Sequence, residues 1–279
     1  MPGVRALAED RAVARKARTG QPKMPKPRGK GGRRVGRTRV GSAGRRPRPA
    51  WRRRVLLAGL AVLGGWVLLT GVPVLALRFV RPVTSAFMLR SHFSDPASGA
   101  PCDRVAYRWA DRASISRDLA LAVVVAEDQR FLSHRGFDFE GIRRALRERE
   151  RRGRVRGAST LTQQLAKNLF LWPEATWLRK GLEAWLTVLI ELTWPKQRIL
   201  EVYLNVAQFG PCVYGARAAS ERYFGRPPAE LEPAQAALLA AVLPNPFKLR
   251  AHAPGVYARQ RTERILALMS QHAWLRRQL

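Results

Sequence analysis

The apolar positions change character twice along the chain. Residues 1–54 carry no apolar periodicity, and then VLLAGLAVLGGWVLLTGVPVLAL, Val55 to Leu77, runs without a charge between Arg52-Arg53-Arg54 and Arg78. As a helix this stretch would extend roughly 35 Å, enough to cross a hydrocarbon core of about 30 Å with some tilt. A buried helix of a soluble domain and a cleaved signal sequence are the alternatives. The uncharged length on every face speaks against the first, and the long basic region with no small-x-small site after the run speaks against the second. From Ser114 onward the period is helical. Ser116 is placed to cap a helix whose apolar positions Leu119, Leu121, Ala122, Val123, Val124 and Val125 lead to Glu127. A strand would accommodate the valines as well, but the flanking Ala, Leu and Glu favour a helix. Further helices are predicted over 138–151, 160–171, 176–193, 196–205, 213–223, 233–243 and 255–277, with Arg226-Pro227-Pro228 and Pro244-Asn245-Pro246 marking joints. No long alternating β pattern and no internal repeat appear. Residues 78–113, with Pro82, Pro96, Gly99 and Pro101, predict a membrane-proximal connection containing a short extended piece. The expected organisation is a basic tail (1–54), a transmembrane helix (55–77), this connection (78–113) and a mainly α domain (114–279).

Charge changes the picture by where it lies. The 279 residues hold 51 Lys and Arg against 20 Asp and Glu, and residues 1–54 alone hold 19 of those cations with two acids, Glu9 and Asp10. Such a Pro- and Gly-rich segment buries too little surface to offset its ordering entropy, which predicts disorder. Basic residues beside a span favour the cytoplasmic side and attract anionic head groups by about 1 kcal/mol each. The tail is therefore expected in the cytoplasm and the domain beyond Arg78 on the far side of the membrane. A membrane accounts for the charge, and no nucleic-acid partner is expected. Cys102 and Cys212 would then lie where a disulfide can form, but the sequence does not pair them.

Several chemistries lack their signatures. His92, His134, His252 and His272 stand too far apart for two ligands on one helical face, so no metal site is expected. Gly-x-Ser-x-Gly, Ser-x-x-Lys and Lys-Thr-Gly are missing, as are phosphate-binding glycine loops. Three polar constellations remain. The first is Glu127 and Asp128 at the end of an apolar helix, followed by Phe131, His134, Gly136 and Asp138. A carboxylate at the rim of a cleft can take a proton from a sugar hydroxyl. A plain ion pair with one of many arginines is the competing reading. The second is Gly157 to Asn168, where Ser159 and Thr160 start a helix that carries Gln164 and Lys167. Free N–H groups there would suit a phosphate, and an ordinary Ser/Thr cap is the competing reading. In the third, Arg179, Lys180 and Glu183 share a helix, as either a pyrophosphate grip or a solvent-facing salt bridge.

Taken together, EDQRFLSHRGFD, GASTLTQQLAKN, RKGLE and KQRILEVYLN, in that order, resemble the motifs of the peptidoglycan glycosyltransferases, glycosyltransferase family 51. The stretch VAQFGPCVYGARAASERYFGRPPAELEPAQAALLAAVLPNPFKL is similar to the monofunctional biosynthetic branch, and the resemblance covers roughly residues 110–270. It implies a lysozyme-like, mainly α fold and an inverting sugar transfer between membrane-bound lipid II molecules. On that resemblance Glu127 is the general base for the acceptor 4-hydroxyl, and Glu183 stabilises the donor site or its developing charge. Ser159, Thr160, Gln164, Lys167, Arg179 and Lys180 match positions expected to hold pyrophosphate and sugar. Asp128 and His134 match supporting positions. No cofactor is required by a motif, although a divalent cation, Mg or Mn, can serve at the pyrophosphate. Lipid II, the growing glycan chain and cell-wall synthesis or division proteins are the implied partners. The implied location is the cell inner membrane, single-pass, with the catalytic domain on the periplasmic side. A lytic glycosidase of similar fold and an inactive cell-wall scaffold are the alternatives. Two departures stand out: Pro211-Cys212 where a polar, glycine-containing loop is expected, and the arginine-rich run Arg143 to Arg156, for which contact with anionic head groups or the lipid pyrophosphate is expected.

Overall fold

The apolar run forms the middle of one long helix, α1 (Ala50–Phe79), in a computed structural model that describes residues 50–152 and 159–279. The tail up to residue 49, together with Gly157 and Ala158 of the second constellation, lies outside the described residues. At 1.5 Å per residue α1 is about 45 Å long. Its apolar side chains, Leu56, Leu60, Leu63 and Leu68 among them, are exposed, as suits a helix surrounded by lipid. One stripe near its end is different, because Val74 is buried against the domain. There the Trp185 indole donates to Thr70 Oγ1 (3.1 Å) and the Trp194 indole to the Val74 carbonyl (2.8 Å). The Arg198 guanidinium donates to the Leu77 carbonyl (2.9 Å) and the Val80 carbonyl (2.7 Å). The Arg198 contacts satisfy carbonyls at the helix end, and together with the two indoles they fix α1 to the domain near its C-terminus.

The domain is mainly helical. Its centre is α3 (Arg117–Glu127), where every residue from Leu119 to Val125 is buried between α9 (Pro233–Val242) and α10 (Val256–Gln271). A helix apolar on all sides belongs in a core, which is why the valine run is helical despite its β propensity. Ser116 caps it by accepting from the Asp118 N–H (3.1 Å), and at the other end Asp128 leaves helical geometry (φ −156°, ψ 75°). Glu127 is thereby the last helical residue. α4 (Phe139–Arg152) follows, and then α5 (Leu161–Phe170), packed between α6 (Trp177–Thr193) and α7 (Lys196–Val206).

Two predicted helices differ. The segment expected to be helical over 213–223 begins as β3 (Val213–Tyr214), which pairs in parallel with β1 (Ala106–Tyr107) and antiparallel with β2 (Gln208–Gly210). α8 (Ala216–Phe224) starts only after Gly215, whose φ of +84° and closeness to the Asn205 carbonyl (2.5 Å from where a Cβ would stand) admit no side chain. The helix expected over 255–277 stops at Gln271, and a 3-10 turn over Ala273–Arg277 completes it. In the connection, α2 (Ala86–Ser91) precedes β1, so this stretch is built into the domain by sheet pairing. Cys102 and Cys212 are disulfide-bonded, joining the segment that precedes β1 to the β2-β3 turn. Cys212 occupies positive φ (+57°) in that turn, the backbone region that a glycine ordinarily fills.

Candidate active site

A cleft of about 420 Å³ opens where α3 ends, lined by Glu127, Asp138, Arg144, Ser159, Gln164 and Arg261 among others. Glu127 reaches it from the last turn of α3. One carboxylate oxygen accepts from Gln164 Nε2 (3.0 Å) and the other from Arg261 Nη2 (2.9 Å). Gln164 in turn accepts from the Tyr203 hydroxyl (2.8 Å). Burial foremost, then the negative charges of Glu127 and Asp128, push the Tyr203 phenol well above its ordinary range, so it stays protonated and donates. The competing reading of Glu127 as an arginine's ion-pair partner is thus also realised, and the partner is Arg261.

Asp128 borders the cleft, but its carboxylate is engaged by the protein. It faces His134 Nε2 at 2.9 Å and accepts from the Leu161 N–H at the start of α5 (3.0 Å). Gly136 N–H donates to His134 Nδ1 (3.1 Å), which assigns the proton of the imidazole to Nε2. The pair is buried and ties three segments together, a supporting position. Gly136 has φ +87°, and a Cβ there would stand 2.8 Å from Thr187 Cγ2, so the loop passes tightly over α6.

The start of α5 differs from the phosphate-cradle expectation. Thr160 is its N-cap and forms a reciprocal capping box with Gln163. The Leu161, Gln163 and Gln164 N–H groups are taken by Asp128, Thr160 Oγ1 and the Thr160 carbonyl. These three groups are occupied by the protein itself, and the positive charge nearby lies on side chains. Ser159 supplies a link, since its hydroxyl accepts from Lys180 Nζ (3.3 Å).

On α6, Glu183 is buried between two cations, with Arg179 Nη1 at 2.5 Å and the Lys180 ammonium on its other oxygen. Arg179 also donates to the Glu174 carbonyl (2.8 Å). Lys167 comes in from α5, its ammonium 5.4 Å from the centre of the Phe87 ring. Burial lowers its pKa; Glu183 opposes that shift, whereas Arg179 and Lys180 add to it. Three cations thus gather around one carboxylate, leaving positive charge in excess. Both Glu183 oxygens already face cations, so this cluster does not suit a divalent metal. Among the described residues, the one group of close metal-ligating atoms is Asp95, Cys102 and Cys212, and its two sulfurs are spent on the disulfide.

The structure therefore brings Glu127 and Gln164 together in one network, and Ser159, Lys167, Arg179, Lys180 and Glu183 in an adjoining one. Two contributors escaped the sequence reading. Tyr203 stands inside KQRILEVYLN and is buried, and nothing in its spacing tells a tyrosine that supports the site from any other core one. Arg261 lies 134 positions from Glu127 and is one arginine among Arg259, Arg261 and Arg264 on α10, so no local signal marks it.

Residues 99–270 match the family model described as Transglycosylase. A biosynthetic peptidoglycan transglycosylase of Aeromonas hydrophila is 48% identical over 233 residues, 83% of this chain and 93% of that protein. Proteins of the same name from Pectobacterium carotovorum (46% over 232 residues, 82% of this chain and 93% of that one) and Pseudomonas putida (50% over 208 residues, 75% and 84%) are similarly related. The matched region contains Glu127 and Arg261 of the cleft and Lys167, Arg179, Lys180 and Glu183 of the adjoining cluster, and the chain belongs to the transglycosylase family.

Proposed function

We propose that this chain is a peptidoglycan glycosyltransferase that polymerises lipid II into glycan strands, with Glu127 as general base. The observation that carries the reading is the adjacency of a held carboxylate, Glu127, to a cation cluster with surplus positive charge. In the reaction, the acceptor's 4-hydroxyl gives its proton to Glu127 as its oxygen bonds to the donor's anomeric carbon. The bond from that carbon to the pyrophosphate breaks on the opposite face, and undecaprenyl pyrophosphate leaves with the electron pair. A positioned base contributes about 10²- to 10⁴-fold to such a step. Lys167, Arg179 and Lys180 bind the departing pyrophosphate, and Glu183 aligns them. Ser159 and Thr160 sit at the sugar side of the cations, while Asp128 and His134 hold the α3 end and α5 start in register.

A divalent cation would enter with the pyrophosphate, since the protein's own carboxylate there is engaged. The chain is anchored by α1 in the inner membrane with the domain on the periplasmic side. The Arg52 to Arg54 flank supports that orientation, and the Cys102–Cys212 disulfide supports an oxidising compartment. Arg143, Arg144 and Arg147 on α4 are available to anionic head groups, whereas residues 153–156 of that run lie outside the described residues. Lipid II and the growing strand are the substrates, and cell-wall synthesis or division proteins are the class of protein partner. A lytic glycosidase would use water and finished glycan, with no pyrophosphate for the cations. Incubating the full chain with fluorescent lipid II and, separately, with finished glycan separates these. Polymer and undecaprenyl pyrophosphate from the first with the second untouched is the expected result; cleavage of the second alone would overturn it.

A further inference from the structure

We propose that Tyr203 is a positioning residue for Glu127, acting through the side-chain amide of Gln164. The inference rests on the reading of Glu127 as the base. Tyr203 belongs to α7 and is buried, and among the described residues its hydroxyl has a single partner, Gln164 Oε1 at 2.8 Å. Gln164 has one amide with two unlike ends. With Oε1 held by the phenol, Nε2 is turned to Glu127 Oε2 at 3.0 Å. The reversed amide would set an oxygen against a carboxylate oxygen at that distance, two acceptors with no proton between them. The buried phenol proton has no other acceptor among the described residues, so it holds the amide in the orientation that gives Glu127 a charge-assisted hydrogen bond, of the kind that stabilises a carboxylate.

The selection works from behind the base. Tyr203 touches no reacting atom, and its hydroxyl leaves the cleft-facing side of Glu127 free for the acceptor. Other charges also face Glu127. Arg261 on α10 pairs with it at 2.9 Å, Lys167 on α5 is near enough to interact with its charge, and Asp128 is its neighbour in the chain. The cleft adds Arg130 and Asp138 before and at the start of α4, and Arg144 and Glu148 on α4 itself. All of these remain in place when only the phenolic oxygen is removed. Tyr203→Phe keeps the ring and the packing, leaves Gln164 Oε1 without a donor, and frees the amide to turn.

The test is the pH dependence of polymerisation by the full chain with lipid II, comparing the parent, Tyr203→Phe, Gln164→Ala and the double variant. The acid limb of kcat/KM is expected to move up by about half to one pH unit in Tyr203→Phe, within the spread that environment imposes on carboxyl groups. Gln164→Ala should move it at least as far, and adding Tyr203→Phe to it should move it no further. A uniform loss of rate with the limb in place, or additive shifts in the double variant, would overturn the proposal. Carboxyl NMR of Glu127 gives the same answer without turnover. An upward titration shift in Tyr203→Phe is expected, and an unchanged titration would contradict the positioning role even if the parent polymerises normally. If the parent forms no polymer, the function reading fails while this titration still decides the contact.

Discussion

Glu127 on α3 lines the cleft while Glu183 on α6 lies in the adjoining cation cluster, and their surroundings set them apart. Glu127 is a terminal helical residue, 12% exposed at its side chain, held by one amide and one guanidinium. Glu183 is in mid-helix, 3% exposed, with a cation on each oxygen. A carboxylate with two cations at contact distance is a poor proton acceptor, and what it does well is fix those cations in place. A carboxylate at a helix end, with one face on the cleft, can still accept a proton from a bound hydroxyl. The contrast teaches that two acids are told apart by what holds them, and in the proposed reaction the first serves as the base.

The largest expected effect separates the two on stability. Glu183→Gln removes the carboxylate that Arg179 and Lys180 both pair with while keeping its shape. Breaking a buried pair in this way costs about 3 to 5 kcal/mol, discounted toward the lower value because Lys180 is partly exposed. For a domain of this size that is about 10 °C in Tm, measurable by thermal unfolding in detergent. Glu127→Gln should leave Tm nearly unchanged. Equal losses in the two variants would erase the distinction between an organising acid and a catalytic one.

A smaller effect concerns Lys167, whose pKa burial lowers. The charged form binds an anion, so affinity for inorganic pyrophosphate should fall as pH rises, and the fall should begin below the ordinary lysine range. Lys167→Arg, which stays charged, should flatten that dependence by a few-fold at alkaline pH. Calorimetric titration across pH checks it; identical profiles for the parent and the arginine variant would show that Lys167 is not the titrating cation.

The legibility of this molecule in its sequence follows the range of the interactions. Helices with strong local signals are readable: α3 from its Ser116 cap and apolar run, and α6 from its helical period over 176–193. Val213 and Tyr214 are not, because their strand exists only by pairing with Ala106, Tyr107 and the β2 residues, a long-range contact that outweighs the local helical pattern. In the same way Glu127 could be singled out as a scarce carboxylate ending an apolar helix. Its partner Arg261 could not, since an ion pair across 134 positions leaves no spacing to read. The Cys102–Cys212 bond, across 110 positions, is hidden for the same reason.

The most direct test of the central claim is glycan-strand formation from lipid II by the full chain beside Glu127→Gln, with lipid II binding and Tm measured on both. The account predicts polymer from the parent and a loss of about 10²-fold or more in the variant, with binding and Tm retained. Polymerisation by Glu127→Gln at a rate near the parent's would contradict it.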